Sequence, residues 1–227
     1  MEDIKKTYDD LIYKIAVIGR DNLSFIEDLE SFCDHFKDHK NFAEYRIKAK
    51  SDMSIIYYRN EVLDKSFDLD LEFLQENSIE YPIYAGIIIR ISKSSSILMR
   101  TDEVKEYVNQ YIINEKVKPI LTKLPLLNWY TFHYPQETEH NDIFEKVFSE
   151  IIELLGAPAC SELSLAERIK NITILHKDSV YNVVQFYKAY EQTAPELRPA
   201  VLEEYLSKTP LRLYRDTMKR DFVKMNN

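Results

Sequence analysis

Ser66-Phe67-Asp68-Leu69-Asp70-Leu71-Glu72-Phe73 is the stretch on which the fold reading turns. Phe67, Leu69, Leu71 and Phe73 occupy alternate positions, with Asp68, Asp70 and Glu72 between them. Successive side chains on a strand point to opposite faces, so this alternation predicts a half-buried strand over 66–73. Working outward, IYAGIIIRI at 83–91 reads as a buried strand, and 117–123 and 128–134 read as extended. Residues 52–59 fit helix or strand. The expected fold class is α+β: a small mixed sheet flanked by helices, then a helical C-terminal subdomain.

The helical signals are clearest at the two ends. Ile4, Leu11, Ile15 and Ile18 predict a helix over 3–18. Asp21 is placed to cap a second helix, with Phe25, Leu29, Phe32 and Phe36 at helical spacing. A third is expected over 102–113. Asn141 or Asp142 starts a helix that Gly156 and Pro158 end near 155. The following GAPAC, 156–160, is the expected boundary between a mixed domain (1–157) and a helical subdomain (158–227). Ser164 and Glu167 form a capping box. Helices are expected over 178–192, with Val180, Val184 and Tyr187 inward, over 199–207, and from Pro210 to about 223.

Composition bounds the function. Net charge is −8 over 227 residues. Residues 161–227 carry 11 Lys and Arg against 9 Asp and Glu, so the acidic excess lies in the body of the chain. That argues against bulk coating of DNA, which depends on neutralising phosphates. Three glycines, Gly19, Gly86 and Gly156, are too few for a Walker A loop or a GxGxxG loop. Two cysteines make no disulfide framework, and no apolar run approaches membrane-spanning length. A cytoplasmic location is expected, or the host cytoplasm if the chain is virus-encoded. The load of Tyr, Ile, Lys and Asn with little Gly fits an AT-rich source such as a phage or virus.

Three constellations could carry chemistry. Asp68 and Asp70, at i and i+2 of a strand, would share a face and could hold Mg²⁺; the plainer reading is the solvated edge of a strand. His35 and His39 share a helix face, and His133 and His140 could join them only through the fold, but no HExxH or CxxC accompanies them. On the last helix, Leu211, Tyr214, Met218 and Phe222 make an apolar stripe with Arg215 among the basic residues around it. That stripe could enter a partner's groove or touch RNA, or pack on the chain's own core.

Three segments in order resemble the synthetase domain of RelA/SpoT-type alarmone synthetases, over residues 1–135. YRIKAKSDMSII at 45–56 looks like the family's RxKxxxSI, with Ser54 two positions late. The resemblance implies that Arg46, Lys48 and Ser54 face ATP phosphates. IYAGIII at 83–89 is similar to the family's D-I-A-G-x-R-I strand, with Ile83 at the metal-binding Asp and Ile88 at the Arg. NWYTFH at 128–133 looks like G-Y-R-S-x-H, implying that Trp129 stacks on a guanine base and that His133 matches the motif histidine. The catalytic Glu of the family's E-x-Q-I-R-T strand has no counterpart. Two functional readings follow. One is a non-catalytic interaction or assembly protein with a protein partner, docking through its helical C-terminal region and needing no cofactor. The other is a divergent nucleotide-binding protein, with Mg²⁺ as the implied ion.

Overall fold

A computed structural model describes residues 3–139 and 141–226. It contains helices and no strand among the described residues. The α+β expectation is therefore corrected to an all-helical fold. Each expected strand is helical: 66–73 lies in α4 (Leu63–Glu76), 83–91 in α5 (Tyr84–Leu98), 117–123 runs into a 3₁₀ turn at Ile120–Lys123, and 128–134 lies in α7 (Leu124–His133).

The physical reason is visible in α4. The buried residues are Ser66, Phe67, Asp70, Phe73 and Leu74, a spacing of three and four. Phe67 and Phe73 satisfy a period of 2 and a period of 3.6 together, while Leu69 and Leu71 are only partly buried. The alternation over-reads two apolar side chains on the flanks of a helix. In α5 the run IYAGIIIRI carries no period of its own, and length must arbitrate. The helix continues through Ser92 to Leu98, burying Tyr84, Ile87, Ile88, Ile91 and Ser95. Its serines return their hydroxyls to the backbone: Ser92 to Ile89 O, Ser94 to Arg90 O, and Ser95 and Ser96 to Ser92 O. This lets polar residues sit within a buried helix. In α7, Pro125 occupies the first turn, where its missing N–H costs nothing.

The chain divides into two compact units, 1–111 and 112–227, with the division inside α6 (Lys105–Ile113). In the first, α1 (Ile4–Ile18), α2 (Phe25–Phe36) and α3 (Phe42–Arg59) precede α4 and α5. Asp3 caps α1 by accepting from the N–H groups of Lys5 and Lys6. α2 begins at Phe25 with Ser24, rather than Asp21, at its cap position. α3 packs against α2 and α4, and α4 against α5. Ile15, Leu29, Ala49 and Ile56 are fully buried between the early helices. Burying a side chain of this size removes about 1.5–3 kcal/mol of apolar exposure. Tyr8 donates to Asp52 at 2.5 Å, with Arg20 3.6 Å from that carboxylate.

In the second unit come α7, the short α8 (Pro135–Thr138), α9 (Asp142–Leu155), α10 (Leu165–Gln192), α11 (Arg198–Lys208) and α12 (Arg212–Met225). Gly156 ends α9 at φ +63°, with the N–H of Ala157 returning to Ile152 O at 3.0 Å. GAPAC thus connects α9 to α10 inside this unit. The Ser164–Glu167 capping box is present, and Glu139 accepts from the N–H groups of Leu165 and Ala166. These caps anchor a continuous helix of 28 residues where the sequence pointed to separate segments. Phe186, Tyr190 and Met218 form its C-terminal core, joined by Val201, Leu202 and Phe222.

Candidate functional site

The change from strand to helix separates the two aspartates. Residues two apart share a strand face but stand about 200° apart around a helix. Asp68 has a side chain 64% exposed and pairs with Arg100 at 2.9 Å. Asp70 is 1% exposed and faces inward. There Arg90 donates from Nε to Oδ2 at 2.8 Å and from Nη2 to Oδ1 at 2.5 Å, and Ser54 donates to Oδ1 at 2.6 Å. Burial pushes the Asp70 carboxyl up, while Arg90 and Ser54 oppose that rise. The pair offers no common face for a cation. Among the described residues no group of three His, Cys, Asp or Glu is placed to hold a metal ion.

The residues of the nucleotide reading divide between the units. Arg46, Lys48, Ser54, Asp68 and Asp70 lie in the first; Trp129 and His133 lie in the second. Arg46 meets Glu72 at 3.3 Å and Glu76 at 3.8 Å; Lys48 meets Glu44 at 2.6 Å. Lys50 is paired with Glu72 as well. These cations pair with carboxylates of α3 and α4, and Arg46 and Lys50 also line an open cleft with Lys37 and Phe42. Ser54 is buried and hydrogen-bonded to Ser66 and Asp70. Trp129 is buried, with its ring 5.0 Å from that of His133 and 5.9 Å from that of Tyr134. Burial lowers the His133 pKa below its ordinary value.

The other candidates take local roles. His35 and His39 flank Phe36 edge-on, and His39 Nδ1 accepts from the N–H of Asn41. His140 lies outside the described residues. Burial, with Asp34 beside it, pushes the Cys33 thiol up, away from a reactive thiolate.

The apolar stripe of the last helix is occupied within the chain. Leu211 and Met218 are buried, and Phe222 meets Tyr190 edge-on at 5.9 Å. The Tyr214 hydroxyl is 2.7 Å from His176 Nδ1. Arg215 donates to the carbonyls of Thr209 and Pro210. Tyr214 and Phe222 thus meet α10, Arg215 ties into the turn before α12, and these three stay partly exposed while Leu211 and Met218 are buried.

What faces outward in this region is α10. Ile174, Tyr181 and Val184 are 48%, 62% and 45% exposed. They interleave with the exposed Lys170, Lys177 and Lys188 in the register 170-174-177-181-184-188. Steps of four and three alternate, which is the seam spacing of helices that pair along their length. The three lysines make no ion pair among the described residues. Val180 and Val184 were expected inward, yet both are exposed; Phe186 and Tyr190 fill the core instead. The seam was present in the sequence as a register but not as an orientation.

No protein-family model, curated protein or solved structure matches the chain.

Proposed function

We propose that this chain is a non-catalytic interaction protein whose helical C-terminal region docks an acidic amphipathic helix of a partner protein along α10. The supporting observation is the solvent-facing seam of Ile174, Tyr181 and Val184 on a helix of 28 residues. Such a helix is about 42 Å long, enough to align several turns of a partner. Lys170, Lys177 and Lys188 lie in the same stripe, so the complementary surface is negative.

The energetics set the kind of contact. Fully burying a large apolar side chain gains about 1.5–3 kcal/mol, and these three have roughly half of that left to gain. A gross gain of about 3–4 kcal/mol must offset association costs of at least about 4 kcal/mol. The lysines must contribute, so the contact is transient and weakens with salt.

The test is affinity capture from the source cell with the full chain and with a Tyr181→Glu/Val184→Glu variant. Both positions are exposed and Glu suits a helix, so the variant keeps its fold by circular dichroism. The expected result is a protein retained by the unmodified chain and lost by the variant. Once purified, that protein binds with an affinity that falls between low and high salt. Equal retention by both chains, or no association of the purified pair, would rule the reading out.

A further inference from the structure

One lysine in the second unit stands where a lysine seldom stands. Lys123, at the end of the 3₁₀ turn before α7, is 2% exposed. Its ammonium donates to the Asn114 carbonyl at 2.7 Å, and no carboxylate stands at ion-pair distance among the described residues. Lysine carries three N–H donors, and a buried ammonium is ordinarily paired. An unpaired buried charge is costly. Either the charges of Glu150 and Glu115, which act on it without an ion pair, suffice, or a further counter-charge comes from outside.

The surroundings point to the second. Lys123 lines an open cleft of about 450 Å³, within the roughly 300–1,000 Å³ of small-molecule sites. α9 contributes Ile143, Lys146, Val147 and Glu150, positions i, i+3, i+4 and i+7 of one helical face. Ile113 and Ile120 complete an aliphatic wall, and Lys118 adds a second cation. Glu115 is engaged by Lys146 at 2.8 Å, which neutralises one of the two acids at the rim. The cleft thus joins the buried Lys123, the cation of Lys118, the Lys146–Glu115 pair, the carboxylate of Glu150 and an aliphatic surface.

We infer that this cleft binds a small carboxylate with an aliphatic body, its carboxylate on Lys123 and Lys118 and its alkyl part against Ile113, Ile120, Ile143 and Val147. Burial, the largest influence, holds the Lys123 pKa below its ordinary value, with Lys118 acting in the same sense and Glu150 and Glu115 opposing it. The site is independent of the α10 seam and needs no partner protein.

The full chain titrated with sodium 4-methylpentanoate, followed by amide NMR shifts, tests this. Sodium acetate supplies the charge without the body, and 4-methylpentan-1-ol the body without the charge. The expected result is saturable shifts confined to 113–123 and 143–150, with acetate and the alcohol each at least about tenfold weaker. Lys123→Met keeps the length and removes the charge. It is expected to abolish saturable binding while raising Tm by about 2–4 °C, because it relieves an unpaired buried charge. Equal binding by Lys123→Met, acetate as strong as 4-methylpentanoate, or no saturation in the millimolar range would each overturn the inference. So would a lowered Tm in Lys123→Met without binding, which would make Lys123 a structural tie to Asn114.

Discussion

The guanidinium of Arg90 on α5 grips the carboxylate of Asp70 on α4 through two hydrogen bonds, 2.8 Å and 2.5 Å long, at a point where Asp70 is almost sealed from water. Ser54 of α3 donates to the same carboxylate, so three helices meet at one acid. Removing one member of such a pair leaves a buried charge alone and costs about 3–5 kcal/mol; removing both with apolar replacements is near neutral. Arg90→Met is therefore expected to lower unfolding free energy by that amount, and Arg90→Met/Asp70→Leu to recover most of it. Urea denaturation of the two variants checks this, and equal loss in both would mean the pair is not the unit that matters.

The turn after α9 depends on a glycine. Gly156 sits at φ +63°, and a Cβ there would come within 2.7 Å of Arg212 Cβ and of Arg212 Nε. The Cβ of Arg212 belongs to the root of its side chain, so the start of α12 must shift. Gly156→Ala is expected to cost about 1–3 kcal/mol, combining backbone strain with that displacement. A companion Gly86→Ala, at a helical position with nothing within 4 Å of the new Cβ, is expected to be neutral or stabilising. Thermal denaturation of both gives the comparison.

Burial lowers the pKa of His176 below its ordinary 6.5, and its Nδ1 lies 2.7 Å from the Tyr214 hydroxyl. The neutral ring is favoured in the folded state, so the unfolded chain binds more protons between the two pKa values. The contribution is whole above pH 6.5 and is lost as pH falls from 6.5 toward the folded value. His133 titrates in the same sense. Melting temperature should rise with pH across this window, and His176→Gln should flatten part of the slope. An unchanged slope would show that His176 binds the same number of protons in both states.

Orientation of the C-terminal helices is tested by a contrast. Met218 is fully buried and Val184 is 45% exposed. Met218→Ala is expected to cost about 2–5 kcal/mol through lost contact and a residual cavity. Val184→Ala should fall within about 0.5 kcal/mol of the unmodified chain. Denaturant midpoints at constant slope would establish both.

Several helices that the sequence announced have explicit ends, whereas α2 was legible from its apolar period alone. Asp3 caps α1, Asn141 caps α9, Gly156 stops it, and Ser164 with Glu167 opens α10. Each is a local hydrogen-bonding arrangement set within a few residues. α4 and α5 lack such marks: neither has a side-chain cap bond, and their apolar residues fit two periods or none. Their misreading carried the candidate metal site with it, because the supposed common face of Asp68 and Asp70 existed only on a strand.

By itself, the sequence determined what is written locally: the caps, the stops, the acidic body, and the scarcity of glycine that rules out phosphate-cradling loops. The tertiary structure decided which face of each helix is inside. It turned Asp70 toward Arg90, buried Leu211 and Met218, and left Ile174, Tyr181 and Val184 in solvent. It also left Lys123 buried beside a cleft, bonded to the Asn114 carbonyl and in no ion pair among the described residues. The reason is physical: a cap is satisfied by neighbours along the chain, whereas burial of a helix face depends on partners dozens of residues away.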